Sequence, residues 1–411
     1  MFLILGRYLE SIALLVVGSL IVLLGFGGDL FFRKTDVPNV LWLMLFGLLL
    51  GQVFNVLDRK LLSSFVGLFG AIAIVVILFD GGLRFEVKEV VEWARRGFLL
   101  MSLGVVFSII VTTVVMVSMG FGLSHALLMG LILCGTSSSI IIPMITKMRS
   151  VSEHTKTILS LESIADTFTV ALALLTMRAM LAQTPDLSAT LVSMFDGILN
   201  GFFFGLIGGL TMVLIMMKIW GEEFSYAVVL SILFLLYSLT EFVGGSGAIA
   251  VFVAGILLAN REEILKPFGL TEGRFQVNAG VTWLILDTEV VKTHSLVAFF
   301  VRTFFFVYVG AIVTIDNVIG LLVGALISLG LLLVRPLFVW IVTHGVRDIR
   351  SIDRRVMTVM LPRGLSAAVL ALLPHSMGIP NTETFSDIVF TVILGTTCIA
   401  TIGMMTIEKP G

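Results

Sequence analysis

The chain has 411 residues, of which 58% are hydrophobic and 13% are charged, and its formal net charge at pH 7 is −1. So apolar a composition excludes a soluble globular protein, and the near-zero charge gives no indication of a nucleic-acid partner. The apolar stretches have the length of membrane-spanning helices, whereas outer-membrane barrels show alternating segments of about ten residues. The sequence therefore predicts an all-α polytopic membrane protein.

The N-terminus and the two cysteines indicate neither a cleavable signal peptide nor a disulfide framework. Arg7 and Glu10 precede an uninterrupted span without a small-residue cleavage site, so no cleavable signal peptide is expected. Cys134 and Cys398 both lie in apolar runs, which does not indicate a disulfide framework. The sequence has no phosphate-binding loop and no nucleophile–base arrangement. We expect neither enzymatic activity nor a cofactor, so any transport would draw on an ion gradient.

About thirteen apolar spans follow one another along the chain. They are Leu9–Phe32, Val37–Leu57, Leu61–Leu83, Gly97–Phe121, Ser124–Met148, Ser152–Ala182, Leu187–Trp220, Phe224–Val243, Ser246–Asn260, Ser295–Thr314, Asn317–His344, Arg354–Met377 and Thr384–Ile407. Two amphipathic segments, Arg84–Arg96 and Trp283–Val291, precede the fourth and tenth spans. This alternation predicts a single membrane domain over residues 1–411.

The distribution of positive charge tests this topology, because Lys and Arg concentrate in cytoplasmic loops. With the N-terminus outside, nineteen of the 26 Lys and Arg residues are cytoplasmic, four are outside, and three lie within spans. These three are Arg302, Arg335 and Arg363. We expect an integral protein of a prokaryotic plasma membrane, with its N-terminus outside and its C-terminus in the cytoplasm.

Two spans are interrupted by polar and helix-breaking residues. The fifth span carries Cys134–Ser139 followed by Pro143, and the twelfth carries Leu361–Ser366 followed by Pro374. The two breaks, near 134–143 and 361–374, lie seven spans apart. They predict inverted repeats made of spans one to six and eight to thirteen. Paired interrupted helices in two halves indicate an ion site near the membrane midplane.

The seventh span carries glycines at strict four-residue spacing, which are Gly197, Gly201, Gly205 and Gly209. Such a stripe allows another helix to approach closely. Two interpretations follow from the pattern, namely tight packing within one copy of the chain and a contact between two copies.

Two carboxylates, Glu162 and Asp166, lie four residues apart on one face of the sixth span. In hydrocarbon each charge costs roughly 2.5–3.5 kcal/mol on insertion scales. An intramembrane arginine needs a counter-charge, and Arg363 lies in the second interrupted span. We therefore expect Glu162 and Arg363 to form a structural ion pair that ties the two halves together.

Asp166 is then the spare acid of this helix. A poorly solvated cavity favours the protonated form of a carboxylate, which can hold a proton or a cation but not both. This competition is sufficient for antiport by alternating access. Neutral oxygens for a small cation are available from Thr136, Ser137, Ser138, Ser139, Ser163 and Thr167. In the alternative interpretation, Asp166 only hydrogen-bonds to the interrupted backbone of the fifth span.

Two further charged residues are candidate accessory groups. Asp80 ends the third span, where it could pair with Arg84 and act as a cap, a charge at a funnel mouth or an ion ligand. Arg302 in the tenth span could be neutralised by Asp166, by Asp80 or by a helix C-terminus.

The chain resembles the monovalent cation:proton antiporters of the archaeal NhaP and eukaryotic NHE type. The resemblance rests on the order of Phe79–Gly82, the break in the fifth span, Glu162–Ser163, Arg302 before Val309–Ala311, and Pro362–Gly364. It implies an NhaA-like fold with crossed, broken helices and a homodimer that exchanges Na+, Li+ or K+ for H+. Core helices would lie approximately within 61–182 and parts of 295–407, and dimerisation helices within 1–57 and 187–260. It also implies that Glu162 and Arg363 match the family's ion pair, and that Ser163 and Thr136 match ion-site residues.

The chain departs from the family pattern at two motifs. The family's Thr-Asp-Pro reads Thr136-Ser137-Ser138, and its Glu-Ser-x-x-Asn-Asp ends here in Asp166-Thr167. The acid therefore stands one position earlier, which is about 100° of rotation on a helix. We expect Asp166 to carry Na+, with Li+ and K+ as alternatives, in an electroneutral exchange. The competing hypothesis is a channel, or an anion or organic-solute transporter that holds its substrate at helix N-termini.

Overall fold

The computed structural model describes residues 2–35, 37–54, 66–84, 94–163, 165–182, 187–219, 224–261, 264, 283–314, 317–346 and 348–408. Regular structure within these residues is helical, and they contain no strand. The helices are α1 (Phe2–Thr35), α2 (Asn39–Leu48, continued by a π-helical turn at Leu49–Val53), α3 (Val66–Leu83), α4 (Ala94–Ser118), α5 (Leu123–Leu133), α6 (Ser138–Lys147), α7 (Glu153–Ser163), α8 (Ala165–Ala182), α9 (Leu187–Lys218), α10 (Ser225–Phe242), α11 (Gly247–Ala259), α12 (Trp283–Ile312), α13 (Val318–Thr343), α14 (Ser351–Val359), α15 (Leu365–Ser376) and α16 (Phe385–Ile407). The all-α prediction is confirmed.

The apolar helices follow the predicted spans. When α5 is counted with α6 and α7 with α8, eight helical stretches of the described residues are long and apolar enough to cross a membrane, and five shorter ones occupy the remaining spans. The number of crossings stays a prediction, because a membrane-spanning helix needs roughly 17–25 residues. One boundary differs, since the predicted amphipathic segment Trp283–Val291 and the tenth span form one continuous helix, α12. Most of the other amphipathic segment, residues 85–93, lies outside the described residues.

Both predicted interruptions are present and are shorter than expected. The first separates Leu133, at the end of α5, from Ser138 at the start of α6, and the second separates α14 from α15 over residues 360–364. Pro143 and Pro374, which were predicted to belong to the breaks, lie inside α6 and α15. The breaks are therefore made by the polar and glycine residues and not by the prolines.

The glycine stripe of α9 packs against α11 of the same chain. A Cβ atom added to Gly201 would lie 2.6 Å from the Ser246 carbonyl oxygen, and one added to Gly205 would lie 2.8 Å from that of Ala250. Such distances exclude larger side chains without movement of the backbone. The interpretation of the stripe as packing within one copy of the chain is confirmed. Large apolar side chains outside the glycine stripe of α9, such as Phe202, are exposed.

Candidate functional site

The two interrupted helices cross at their breaks. The backbone N–H of Ser137 donates to the carbonyl oxygen of Pro362 at 2.9 Å. A Cβ atom on Gly364 would overlap the side chain of Ser137, so only glycine allows this close approach. The crossing brings together the C-termini of α5 and α14 and the N-termini of α6 and α15. Four helix ends, each with backbone groups that lack intrahelical partners, therefore meet in the protein interior.

Arg363 lies in the second break and stabilises the first. One guanidinium nitrogen (Nη1) donates to the Cys134 carbonyl oxygen at 2.9 Å, and the other (Nη2) donates to Ser108 Oγ at 2.8 Å. Cys134 is the C-cap of α5, where positive charge complements the helix dipole and the free carbonyls. The Arg363 backbone N–H donates to Thr396 Oγ1 at 3.1 Å. Arg363 thus occupies a helix terminus.

The structure pairs Glu162 with Arg335 and not with Arg363, so the predicted ion pair is wrong. Arg335 Nη1 and Nη2 donate to the two carboxylate oxygens at 2.6 and 2.8 Å, and both side chains are 2% exposed. Arg335 Nε also donates to the Met357 carbonyl oxygen at 2.6 Å, near the C-terminus of α14. The physical reason is that α13 places Arg335 opposite Glu162, while the α5 terminus satisfies Arg363.

Asp166 faces a cavity of about 110 Å³, which is room for a few water molecules at roughly 30 Å³ each. The cavity is lined by Val76, Ile77, Asp80, Gly81, Arg84, Ser137, Ser138, Ser139, Asp166, Ser295, Ala298, Arg302, Leu365 and Ser366. Asp166 lies in the first turn of α8 and is half-buried. The Ser366 hydroxyl, in the first turn of α15, donates to Asp166 Oδ2. A cavity with one carboxylate and several hydroxyls offers oxygen ligands suited to a small hard cation.

The predicted oxygen donors divide into two groups. Ser137 and Ser138 line the cavity, and Ser137 Oγ lies 3.0 Å from Ser139 Oγ, which lines it too. Within the described part of the chain, neither Thr136 nor Ser163 belongs to the lining. Ser163 Oγ donates to the Ser160 carbonyl oxygen at 2.7 Å instead.

Thr136 and Thr167 complete the predicted set. The Thr136 hydroxyl is buried and has no hydrogen-bond partner among the residues that the structure describes. The side chain of Thr167 lies outside the described residues. Sequence reasoning missed Ser366, although its position two residues after Gly364 in the second break was a usable signal. It also gave no role to Arg335, whose signal was an arginine in the middle of an apolar span.

Asp80 and Arg302, the two predicted accessory charges, both line the cavity. Their accessory role stays a prediction. Asp80 Oδ2 accepts from Arg84 Nε at 3.0 Å, which is the pairing expected for this span end. The ring nitrogen Nε2 of His294 lies 3.9 Å from Asp80 Oδ1. Arg302 Nε is buried without a hydrogen-bond partner in the described ranges, and the charges of Asp29 and Asp80 act on it. The cavity therefore contains acidic and basic groups in balance.

An all-helical membrane protein with two crossed, broken helices beside a carboxylate has the architecture of a secondary transporter. The model of the sodium/hydrogen exchanger family, transmembrane region, matches residues 17–407, and the chain belongs to this family. Resemblance to the cation:proton antiporters is thereby confirmed.

Among curated relatives, the K(+)/H(+) antiporter NhaP2 of Shewanella sp. (strain ANA-3) is 27% identical over 336 residues, which are 79% of this chain and 54% of that protein. The probable Na(+)/H(+) antiporter GerT of Bacillus cereus is 24% identical over 259 residues, 62% of this chain and 66% of that protein. The chain spans about half the length of the NhaP2 relatives that it matches.

Among solved structures, the sodium proton antiporter MjNhaP1 from Methanocaldococcus jannaschii at pH 8 superposes with a TM-score of 0.76. The match covers 96% of each chain at 19% sequence identity. A second structure of MjNhaP1, an electron-microscopy map, gives a TM-score of 0.68 over 99% of this chain and 96% of that one, at 20% identity. The antiporter fold implied by the resemblance is confirmed.

Proposed function

We propose that the protein is a secondary active transporter that exchanges a monovalent cation for protons, with Asp166 binding the two ligands competitively. The observation that carries the proposal is the Asp166 carboxylate in a small cavity lined by serine hydroxyls. Such a cavity favours the neutral carboxyl, and a bound cation compensates the negative charge of the ionised form equally well. One site with two exclusive ligands is sufficient for antiport under alternating access.

The residues around Asp166 have different proposed roles. The hydroxyls of Ser137, Ser138 and Ser366 can turn their lone pairs towards a cation at the carboxylate. Thr136 and Ser163, which do not line the cavity here, would join the site in another state of the cycle, and Thr167 stays a proposed ligand. Glu162 holds Arg335 and takes no part in exchange.

The simplest stoichiometry is one cation per proton, because Asp166 is the carboxylate of the cavity that has no basic partner within ion-pair distance in the described part of the chain, while Asp80 pairs with Arg84. Exchange would then be electroneutral. Sodium is our first expectation for the cation. The named relatives include both potassium and sodium antiporters, so lithium, potassium and rubidium belong in the same assay.

The competing hypothesis of a channel or an anion or organic-solute transporter has weaker support. It requires a free helix N-terminus for the substrate. The first turn of α15 already faces a carboxylate, since the Ser366 hydroxyl donates to Asp166 Oδ2, and the negative charge of Asp166 disfavours an anion beside it.

The proposal extends to assembly and placement in the membrane. We infer a homodimer in a prokaryotic plasma membrane, with the N-terminus outside and core helices that move against dimerisation helices approximately within 1–57 and 187–260. The family resemblance supports the dimer and the division, and the bias of Lys and Arg supports the orientation.

Transport assays in proteoliposomes test the exchange. A pulse of Na+, Li+, K+ or Rb+ should dissipate a preset pH gradient for at least one cation, and Asp166→Asn should abolish the response. The matched control is Asp196→Asn on the exposed face of α9, which makes the same chemical change outside the cavity. Wild-type exchange by Asp166→Asn would overturn the carrier assignment. Uptake of a labelled anion that ignores the pH gradient would favour the competing hypothesis.

A further inference from the structure

A second concave site lies on the surface of the protein, away from the Asp166 cavity. It is a groove of about 840 Å³ between α13, α14 and α16, and within the described residues it shares no lining residue with the cavity. It lies where α13 and α16 end and α14 begins, on the face that the positive-charge bias assigns to the cytoplasm. Its volume is within the range of about 300–1,000 Å³ that is usual for small-molecule sites.

One wall of the groove is apolar. Pro336, Val339 and Trp340 contribute to it from α13, and Ile407 contributes from the end of α16. The three α13 residues follow a spacing of three and four, so they form one strip about 6 Å long on that helix. The Trp340 side chain is 56% exposed. Tryptophan is enriched at membrane–water interfaces, where its ring meets the headgroup level.

The opposite wall is cationic. Ser351, Arg354, Arg355 and Thr358 line it from α14 at positions i, i+3, i+4 and i+7, which is one helix face. Arg354 Nη2 donates to the Thr343 carbonyl oxygen at 3.3 Å, and its remaining N–H groups are available. Arg355 is exposed and makes no hydrogen bond or ion pair with the described part of the chain.

No carboxylate of the described residues forms an ion pair with Arg354 or Arg355. Asp353 is fully buried, and its carboxylate accepts from the backbone N–H groups of Ser152 and Arg350 and from the Arg350 side chain. Glu408, which follows the end of α16, accepts from the Arg149 backbone N–H at 2.7 Å. Within the described residues, the groove therefore combines two arginines that have no ion-pair partner with an apolar strip along α13.

We propose that this groove binds an anionic phospholipid of the cytoplasmic leaflet. Arg354 and Arg355 receive the phosphate, since guanidinium groups match phosphate oxygens in geometry and charge. The acyl chain lies along Pro336, Val339 and Trp340. Basic pockets between membrane helices on the cytoplasmic side are suited to anionic headgroups. A soluble anion would use the arginines but would gain nothing from the tryptophan strip, so the pairing of both walls identifies a lipid.

Lipid retention by the purified full chain tests the site. The protein is exchanged into detergent with defined amounts of phosphatidylglycerol or phosphatidylcholine, and bound lipid is counted by native mass spectrometry. Wild type should retain phosphatidylglycerol in preference to phosphatidylcholine. Arg355→Gln should weaken retention by at least about tenfold, the effect of losing a charge-assisted hydrogen bond. Trp340→Ala should weaken it as well.

The matched control is Arg95→Gln, an exposed arginine at the start of α4 on the same face and outside the groove. It should retain lipid like the wild type, which separates the groove from a general loss of surface charge. Equal retention of the two lipids, or unchanged retention by Arg355→Gln, would overturn the proposal. Competition by inorganic phosphate that depends on Arg355 and not on Trp340 would identify a soluble-anion site instead. None of these readouts depends on transport activity.

Discussion

Arg335 holds the Glu162 carboxylate with both terminal guanidinium nitrogens and keeps its third, Nε, for the Met357 carbonyl oxygen. One side chain of α13 thereby connects α7 with the last turn of α14. All of this lies in a region from which water is excluded, because both charged side chains are 2% exposed. The pair is a fixed part of the scaffold around the helix crossing.

Breaking this pair should be costly, and a double-mutant cycle should identify the partner. Glu162→Gln or Arg335→Gln alone should destabilise the fold by about 3–5 kcal/mol, because each strands a buried charge. Thermal unfolding in detergent measures the loss. The double variant of Glu162 and Arg335 should lose less than the sum, because no unpaired charge remains.

Arg363 supplies the contrast for that cycle. Arg363→Gln leaves the Cys134 carbonyl oxygen and Ser108 without their donor and should cost about 1–3 kcal/mol. The double variant of Arg363→Gln and Glu162→Gln should lose about the sum of the two single losses in stability, because the two side chains are not paired. A strong coupling between Glu162 and Arg363 would contradict the pairing that the structure shows.

Competition at Asp166 makes transport depend on pH in one direction. As the pH on the cation-loading side falls, more of the Asp166 carboxyl is protonated, and cation binding should weaken. The apparent KM for the cation should therefore rise, whereas the rate at saturating cation should change far less. Initial rates over a matrix of pH and cation concentration measure both quantities. A maximal rate that falls while KM stays constant would argue against a shared site.

The helix crossing predicts a size-dependent defect at Gly364. Gly364→Ala should reduce stability and yield, because the new Cβ would overlap the Ser137 side chain. Adding Ser137→Gly removes that side chain and should restore part of the lost stability. Gly18→Ala is the control, since a Cβ atom there meets nothing within 4 Å. The comparison is made by size-exclusion chromatography and thermal unfolding; equal behaviour of the Gly364 and Gly18 variants would contradict the close crossing.

The glycine stripe of α9 predicts a defect within one copy of the chain. Gly205→Val should lower the unfolding temperature, because its side chain would meet Ala250 and Val253 of α11. The loss should not depend on protein concentration, as it would at an interface between copies. Phe202→Ala, a change on the exposed face of the same helix, should leave the monomer's stability nearly unaltered. If the loss in unfolding temperature became smaller at higher protein concentration, the stripe would instead be a contact between two copies of the chain.

Much of the fold could be predicted because its signals are local. Apolar length marks the spans, and the polar run that begins at Cys134 marks the interruption of the fifth span. Gly364 and the residues around it act in the same way. These patterns also carry much of the family resemblance, since several of the family motifs lie at the breaks and beside Glu162.

The partners across the helices could not be predicted, because they depend on which helices become neighbours. Glu162 had a choice of three intramembrane arginines, and only the packing of α13 against α4 and α14 brings Arg335 to it. The direction of a hydroxyl group cannot be predicted from the sequence either. Ser163 was therefore predicted at the site, although its hydroxyl donates to the Ser160 carbonyl oxygen of its own helix. Ser366 reaches Asp166 only through the crossing.

The hydrogen bond from the Ser137 N–H to the Pro362 carbonyl also has a consequence for biosynthesis. Ser137 enters the membrane long before Pro362 has been translated, and during that interval the broken backbone of the first half has no partner for this N–H. Unpaired backbone groups are costly in lipid, so the break must be held by water or by temporary neighbours until the last spans arrive. We therefore expect a nascent chain that stops before the twelfth span to remain dependent on insertion factors, and to become protease-resistant only once residues 360–364 have reached the bilayer.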